Sequence, residues 1–308
     1  MTQQTCILVG APVESGASQP GALMGPAALR TAGLGAMLRD LGYRVDDKGD
    51  VAPRAANTAK HSNKAVKNLA QTVGWTQALS SAAQSAAKAG MPIFLGGDHS
   101  LTLGTLAGVA AQAATLQRPQ FVLWLDAHPD CHTPDTTDSG NLHGTPLAYV
   151  TGLQGFGDFP LLASAIDPAN VAMFGIRSVD PAEQAVLAVN GMAVYDMRAI
   201  DEHGIIDPLN AFLTKVKDNN GLLHVSLDVD FLDPAIAPAV GTTVPGGATF
   251  REAHLIMEIL HDSGLVTSLD LVELNPFLDE RGRTAQLLVD LTASLMGRKV
   301  LDRPTKGF

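Results

Sequence analysis

Three apolar runs in this chain each stop at side chains able to hold a metal or carry a proton. Phe121-Val-Leu-Trp-Leu leads into Asp126, His128 and Asp130, spaced by two. Leu222-Leu-His-Val-Ser-Leu leads into Asp228 and Asp230, and Met91-Pro-Ile-Phe-Leu passes through Gly96 and Gly97 to Asp98 and His99. In extended chain, residues two apart point the same way. Any one run is also explained as a strand giving way to a polar loop, with Asp and Pro forming the turn. Three such runs point to a shared crevice at the carboxyl ends of a parallel sheet, where open α/β folds bind ligands.

The candidate donors are His99, Asp126, His128, Asp130, Asp228 and Asp230. Gathered in one cleft, the four carboxylates carry a charge of −4, untenable without compensation. One divalent cation leaves half of that charge, whereas two neutralise it. Two metals roughly 3.5–4 Å apart, sharing bridging carboxylates, form a recognised hydrolytic device that activates a water between them. Carboxylate-rich donor sets with few imidazoles favour manganese over zinc. We therefore expect a binuclear metal site.

Gly-Gly-Asp-His-Ser at 96–100, Asp-Ala-His-Pro-Asp at 126–130 and Ser-Leu-Asp-Val-Asp-Phe-Leu-Asp-Pro at 226–234 resemble, in order and spacing, the three signatures of the ureohydrolases. That family includes arginase, agmatinase and their relatives. Thr133-Pro-Asp-Thr-Thr-Asp-Ser-Gly-Asn-Leu-His-Gly144 is similar to the substrate loop of arginases rather than that of agmatinases. The resemblance implies hydrolysis of L-arginine to L-ornithine and urea with two Mn ions. It also implies that Asp126 and Asp228 bridge the ions, that His99 and Asp130 complete one position, and that His128 and Asp230 complete the other. By the same resemblance, Glu273 receives the guanidinium, Thr137 and Ser139 the α-carboxylate and Asp180 the α-amino group. His143 is then the acid/base or proton shuttle, Asp130 carries a proton to the departing amine, and Thr242 is a hydroxyl near the metals. Asp98 and Asp233 lie inside the signatures, where we expect them as outer partners of ligating histidines.

Each assignment has a plainer counterpart. A carboxylate such as Glu273 at the end of an apolar strand needs a cation, which an arginine such as Arg177 or Arg281 could supply in place of substrate. Asp180 reads equally as a helix N-cap, and a lone loop histidine such as His143 is usually incidental. Two positions depart from the family pattern. His132 stands where arginases usually carry a carboxylate-binding Asn, and Ser18-Gln-Pro-Gly21 stands where many relatives have an arginine. These leave open a sibling amidinohydrolase acting on agmatine, guanidinobutyrate or a similar compound. A third reading, a catalytically silent arginine-binding homologue, sits poorly with a complete donor set.

At 308 residues with 46% hydrophobic content, the chain can bury a large core, and we expect one domain spanning 1–308. The net charge of −10 argues against nucleic acid or an anionic membrane surface and suits a small cationic substrate. The two cysteines, Cys6 and Cys131, form no CxxC, so a reducing cytoplasm is the expected setting. Residues 1–4 show no secretion signal, and no apolar run approaches the roughly 18 residues of a membrane span. The resemblance implies a homo-oligomer, trimer or hexamer.

The elements that must position these residues alternate. Patterning predicts strands over 5–9, 43–45, 91–95, 121–126, 170–176, 192–195, 222–228 and 266–273. Helices are predicted over 25–41, 63–88, 100–114, 206–218, 249–263 and 287–296, with another opened by Asp180-Pro-Ala-Glu183 as a capping-box variant. Gly10-Ala-Pro-Val-Glu-Ser-Gly16 matches neither nucleotide-binding glycine pattern. The alternation implies a three-layer α/β/α fold around a doubly wound, mostly parallel sheet.

Overall fold

The computed structural model describes residues 4–299 and 301. Residues 1–3, on which part of the leader expectation rests, lie outside them. The eight strands are β1 (Thr5–Ala11), β2 (Arg44–Asp50), β3 (Met91–Gly96), β4 (Gln120–Leu125), β5 (Val171–Ile176), β6 (Ala193–Asp196), β7 (Leu222–Asp228) and β8 (Val266–Val272). They form one sheet in the order β2-β1-β3-β8-β7-β4-β5-β6. Every pairing is parallel, so the expected mostly parallel sheet is parallel throughout.

Helices cover both faces, as a parallel sheet requires. On one side pack α1 (Gly25–Thr31), α2 (Leu34–Asp40), α7 (Met197–His203), α8 (Ile206–Asp218), α9 (Phe250–Ser263) and α10 (Arg283–Leu295). On the other lie α3 (Leu69–Ala89), α4 (Thr102–Thr115), α5 (Pro146–Val150) and α6 (Pro181–Asn190). Strand alternation sorts side chains between the two layers. Phe121, Leu123 and Leu125 enter the first core, whereas Val122 and Trp124 enter the second. A strand buried on both sides has no polar face, which is why β4 reads as an unbroken apolar run.

Several boundaries differ from the sequence reading. The helix expected over 25–41 breaks at Gly33, whose φ of 94° cannot continue an α-helix. The helix expected from 63 starts only at Leu69, after Asn68 in the left-handed region at φ 49°. The residues before it make a connection in which Asn63 Nδ2 donates to Pro134 O and Thr137 O, at 3.0 and 2.9 Å. Apolar spacing carried no sign of this tertiary anchoring. The last helix starts four residues early, at Arg283, and α7 had no counterpart in the pattern.

A polar layer lies beneath the central strands. Asp270 Oδ2 on β8 accepts from Thr102 Oγ1 at 2.7 Å and Thr105 Oγ1 at 2.8 Å, tying the first turn of α4 to the sheet. His224 on β7 completes the layer, with Nδ1 2.8 Å from Ser268 Oγ.

Gly175 interrupts β5 at φ 94°, and a Cβ there would lie 2.5 Å from Phe231 Cδ2. Gly175→Ala therefore combines left-handed backbone strain with overpacking. It should destabilise the fold by about 2–4 kcal/mol in chemical denaturation. A change below about 0.5 kcal/mol would place it among neutral surface substitutions and refute the packing argument.

Candidate metal centre

The four central strands β3, β8, β7 and β4 are neighbours, and their carboxyl ends deliver the candidate residues to one place. His99 follows β3, Asp126 follows β4, Asp228 ends β7 and Glu273 follows β8. Asp98 caps the turn at His99–Leu101 by accepting from Ser100 N.

His99 is the hub. Its ring stacks on Trp124 with centroids 4.2 Å apart and an interplanar angle of 1°. Nε2 sits 2.9 Å from Ser226 Oγ, which directs Nδ1 toward the carboxylates. Nδ1 lies 3.1 Å from Asp126 Oδ2, 3.1 Å from Asp130 Oδ2 and 3.0 Å from Asp228 Oδ2. These contacts are close but poorly directed: His99 Nδ1 and Asp126 Oδ2 are buried without a well-formed hydrogen bond. One nitrogen and three oxygens converge without bonding well to each other, as donors arranged around a cation would. Second to this group stands His128, whose Nδ1 is 3.0 Å from Asp230 Oδ2 and 3.6 Å from Asp126 Oδ1. Asp126 thus belongs to both groups, His99–Asp126–Asp130 and Asp126–His128–Asp230. Asp228 reaches the first through Oδ2, while its Oδ1 accepts from Asp230 N at 2.8 Å. The donors present fit a pair of divalent ions.

Charge at the site is unbalanced toward the negative. Burial, then the neighbouring Asp126, pushes the Asp230 carboxyl up to about 6. Burial, then Asp230 and Asp126, holds Asp228 well above the usual carboxylate range. Burial disfavours a charged His128, but Asp126 and Asp230 more than reverse this and raise it to about 12. The carboxylates around the His99 and His128 rings raise their affinity for a proton.

Among the described residues, Glu273 meets a histidine and no arginine. Its Oε1 accepts from His99 N at 2.7 Å and lies 2.9 Å from His143 Nδ1. Burial lowers His143, yet the Glu273 carboxylate outweighs it and raises the ring to about 9. Arg177, the proposed alternative partner, instead donates to the carbonyls of Gly175, Val244 and Asp230, and Arg281 is exposed. Both Asp130 and Glu273 occupy left-handed backbone, at φ 49° and 64°. Such conformations are uncommon for non-glycine residues and cost energy that the surroundings must offset.

Beyond the donors, Thr242 Oγ1 donates to Asp230 Oδ2 at 3.1 Å, so the hydroxyl does stand at the site. Thr137 and Ser139 face each other with hydroxyls 3.3 Å apart. Asp180 caps α6, its N–H donating to Glu183 Oε2 at 3.1 Å in a capping box, and its carboxylate also lies 3.1 Å from His132 Nε2. The second nitrogen of His132 is 3.2 Å from Thr136 Oγ1.

Two expectations are corrected. Asp98 does not support a histidine: it accepts from Gly16 N at 2.8 Å and Ala17 N at 3.1 Å, holding the loop after β1. Asp233 accepts from Ala235 N and Gly246 N at 2.9 Å, again organising backbone. An acidic side chain beside freely available N–H groups is drawn to them first. The outer partner of His99 is Ser226, missed in the sequence although it sits two before Asp228 on one strand face.

A parallel sheet whose central strands end in carboxylates and imidazoles defines an α/β enzyme with its chemistry at the carboxyl edge. The arginase family profile matches residues 4–297. An arginase of Agrobacterium fabrum (strain C58) is 63% identical over 306 residues, covering 99% of this chain and 94% of that protein. An arginase of Brucella melitensis biotype 1 is 62% identical, covering 98% and 99%. The native arginase structure from Bacillus caldovelox at pH 5.6 superposes with a TM-score of 0.87 at 36% identity, covering 97% of this chain and all of that one. The chain belongs to the arginase family.

Ser226→Ala removes the hydroxyl that meets the His99 ring at Nε2, opposite the donors. It should weaken the binding of a divalent metal ion by about 10- to 100-fold in calorimetric titration. An unchanged affinity would show that stacking on Trp124 alone orients His99.

Proposed function

We propose that this chain hydrolyses the guanidinium group of L-arginine, giving L-ornithine and urea, with two manganese ions as cofactor. The observation that carries this reading is the convergence of six donors from three distant motifs, with Glu273 beside them, in a chain of the arginase family. His99 and Asp130 would hold one ion and His128 and Asp230 the other, with Asp126 and Asp228 shared between them. When bound, the pair supplies the Lewis acidity that activates water at neutral pH.

The chain's own residues do the rest. Glu273 is buried and held by His99 N–H, so its carboxylate is fixed where a planar guanidinium can pair with it. Pairing there places the guanidinium carbon beside the donor cluster, a proximity effect. The substrate must take Glu273 from His143, whose raised affinity for a proton depends on that carboxylate. Once Glu273 pairs with guanidinium, His143 holds its proton less tightly and relays protons to solvent. Asp130 carries the proton from the attacking water to the departing amine. At the amino-acid end, Thr137 and Ser139 receive the carboxylate, and Asp180, steadied by His132, receives the ammonium.

No helix of the described residues is long and apolar enough to cross a membrane. Free, buried Cys6 and Cys131 suit a cytoplasmic setting. In this reading the whole chain acts as one domain and assembles as a homo-oligomer, trimer or hexamer. The second reading, a sibling amidinohydrolase, is favoured by His132, whose two ring nitrogens are both engaged within the protein.

Urea release from L-arginine, agmatine and guanidinobutyrate, with and without added Mn, separates the two. L-Arginine should be the best substrate and activity should require Mn; faster release from either competitor selects the sibling. His128→Ala or Asp230→Asn should each leave about one Mn per chain by elemental analysis, and two retained ions would refute the ligand assignment. Glu273→Gln should keep its metal yet lose at least roughly 100-fold in turnover through misplacement of the guanidinium. Near-normal turnover would remove Glu273 from the substrate site.

A further inference from the structure

Asp230 has its two carboxylate oxygens fixed from different segments. Oδ1 accepts from Ala127 N at 3.0 Å, and Oδ2 accepts from Thr242 Oγ1 at 3.1 Å. The first donor lies between Asp126 and His128, the second on the loop at 241–247. Neither segment is helix or strand. Something else must hold them to the tolerance of about 0.5 Å that a metal position demands.

Arg177 touches both. Its backbone N–H donates to Ala127 O at 2.9 Å. Its Nε and Nη2 donate to Val244 O at 3.2 and 2.8 Å, two residues beyond Thr242. Nη2 also donates to Asp230 O, and Nη1 donates to Gly175 O at 3.0 Å, where the register between β5 and β6 shifts. The loop runs close against the guanidinium: a Cβ at Gly247 would lie 2.6 Å from Nη2. Asp233 fastens the far end of the loop, accepting from Gly246 N at 2.9 Å and Gly247 N at 3.2 Å. One planar group thus spans the end of β5, the turn bearing Asp230 and the loop bearing Thr242. A rigid fork can do this, whereas an ammonium gives all its protons from one point.

The attachment is one-sided. At the other ion position, His99 is oriented by Ser226 and Trp124, and Asp130 O accepts from Leu147 N at 3.1 Å. The hydrogen bonds of Arg177 go to neither residue.

We infer that Arg177 is a positioning residue for one ion position of the pair, that of Asp126, His128 and Asp230, acting through the Asp230 carbonyl and the Thr242 loop. The inference rests on the two-ion reading above and adds a residue to it. Because its hydrogen bonds go to carbonyls, the guanidinium stiffens this position without taking the carboxylate oxygens that a metal needs.

The test compares Arg177→Met, which removes the fork and the charge, with Arg177→Lys, which keeps the charge alone. Mn-loaded parent and variants are dialysed against buffers of graded free Mn, and their metal is counted by elemental analysis. The parent should hold about two ions per chain. Each variant should release one ion at about 10- to 100-fold higher free Mn than the parent does, and keep the other as the parent does. A general loosening of the fold would release both together. Thr242→Val probes the route: it should weaken the same ion, and should add little in the Arg177→Lys background, because both changes cut one path. Should the Met variant fail to fold, the Lys variant and its pairing with Thr242→Val decide. The inference is overturned if both ions are lost in step, if Arg177→Lys holds metal as the parent does, or if the two substitutions add in full. A parent that holds a single ion at saturating Mn refutes the two-ion reading itself, an outcome distinct from these.

Discussion

Everything at this site depends on the repulsion among buried carboxylates that the fold forces together. Asp126, Asp130, Asp228, Asp230 and Glu273 are all buried, and burial raises the energy of each charged form. The carboxylates in turn raise the affinity of the His99 and His128 rings for a proton. Three oxygens surround His99 Nδ1, and one N–H cannot be directed at all of them. A divalent ion would have no such directional limit, so the same crowding would favour its binding.

The scaffold bears this load through rigid elements. The adjacent central strands of a parallel sheet carry the donors, and the turn after β3 is fastened twice, by Asp98 at His99–Leu101 and by Asp270 at the start of α4. Left-handed backbone at Asp130 and Glu273 turns each carboxylate into the cluster where regular extended chain would carry it past. Strain held by a packed frame is strain that does not relax when substrate arrives.

Around the cluster, each cation has a specific employment. Arg177 serves three backbone carbonyls, which keeps it from neutralising Asp230 or Glu273 directly. His143 is paired with Glu273, Nδ1 to Oε1 at 2.9 Å. Exposed Lys67 donates to Ser18 Oγ and Asn141 Oδ1.

Much of this was legible in the chain itself. Apolar runs buried on both faces marked the strands, and donors at spacings of two after them located the cluster, because strand geometry is local and its period is short. What the sequence could not specify is pairing across distance. Ser226 behind His99, Asp98 turned to the loop at 16–17, and Lys67 set against Asn141 are contacts between residues far apart in the chain. Which of several polar neighbours a side chain bonds is decided by which arrives in reach once the layers have packed. Residue type and spacing thus determined the chemistry available and the edge where it gathers. Tertiary structure decided which groups hold one another and which remain open to a ligand, since that follows from three-dimensional proximity alone.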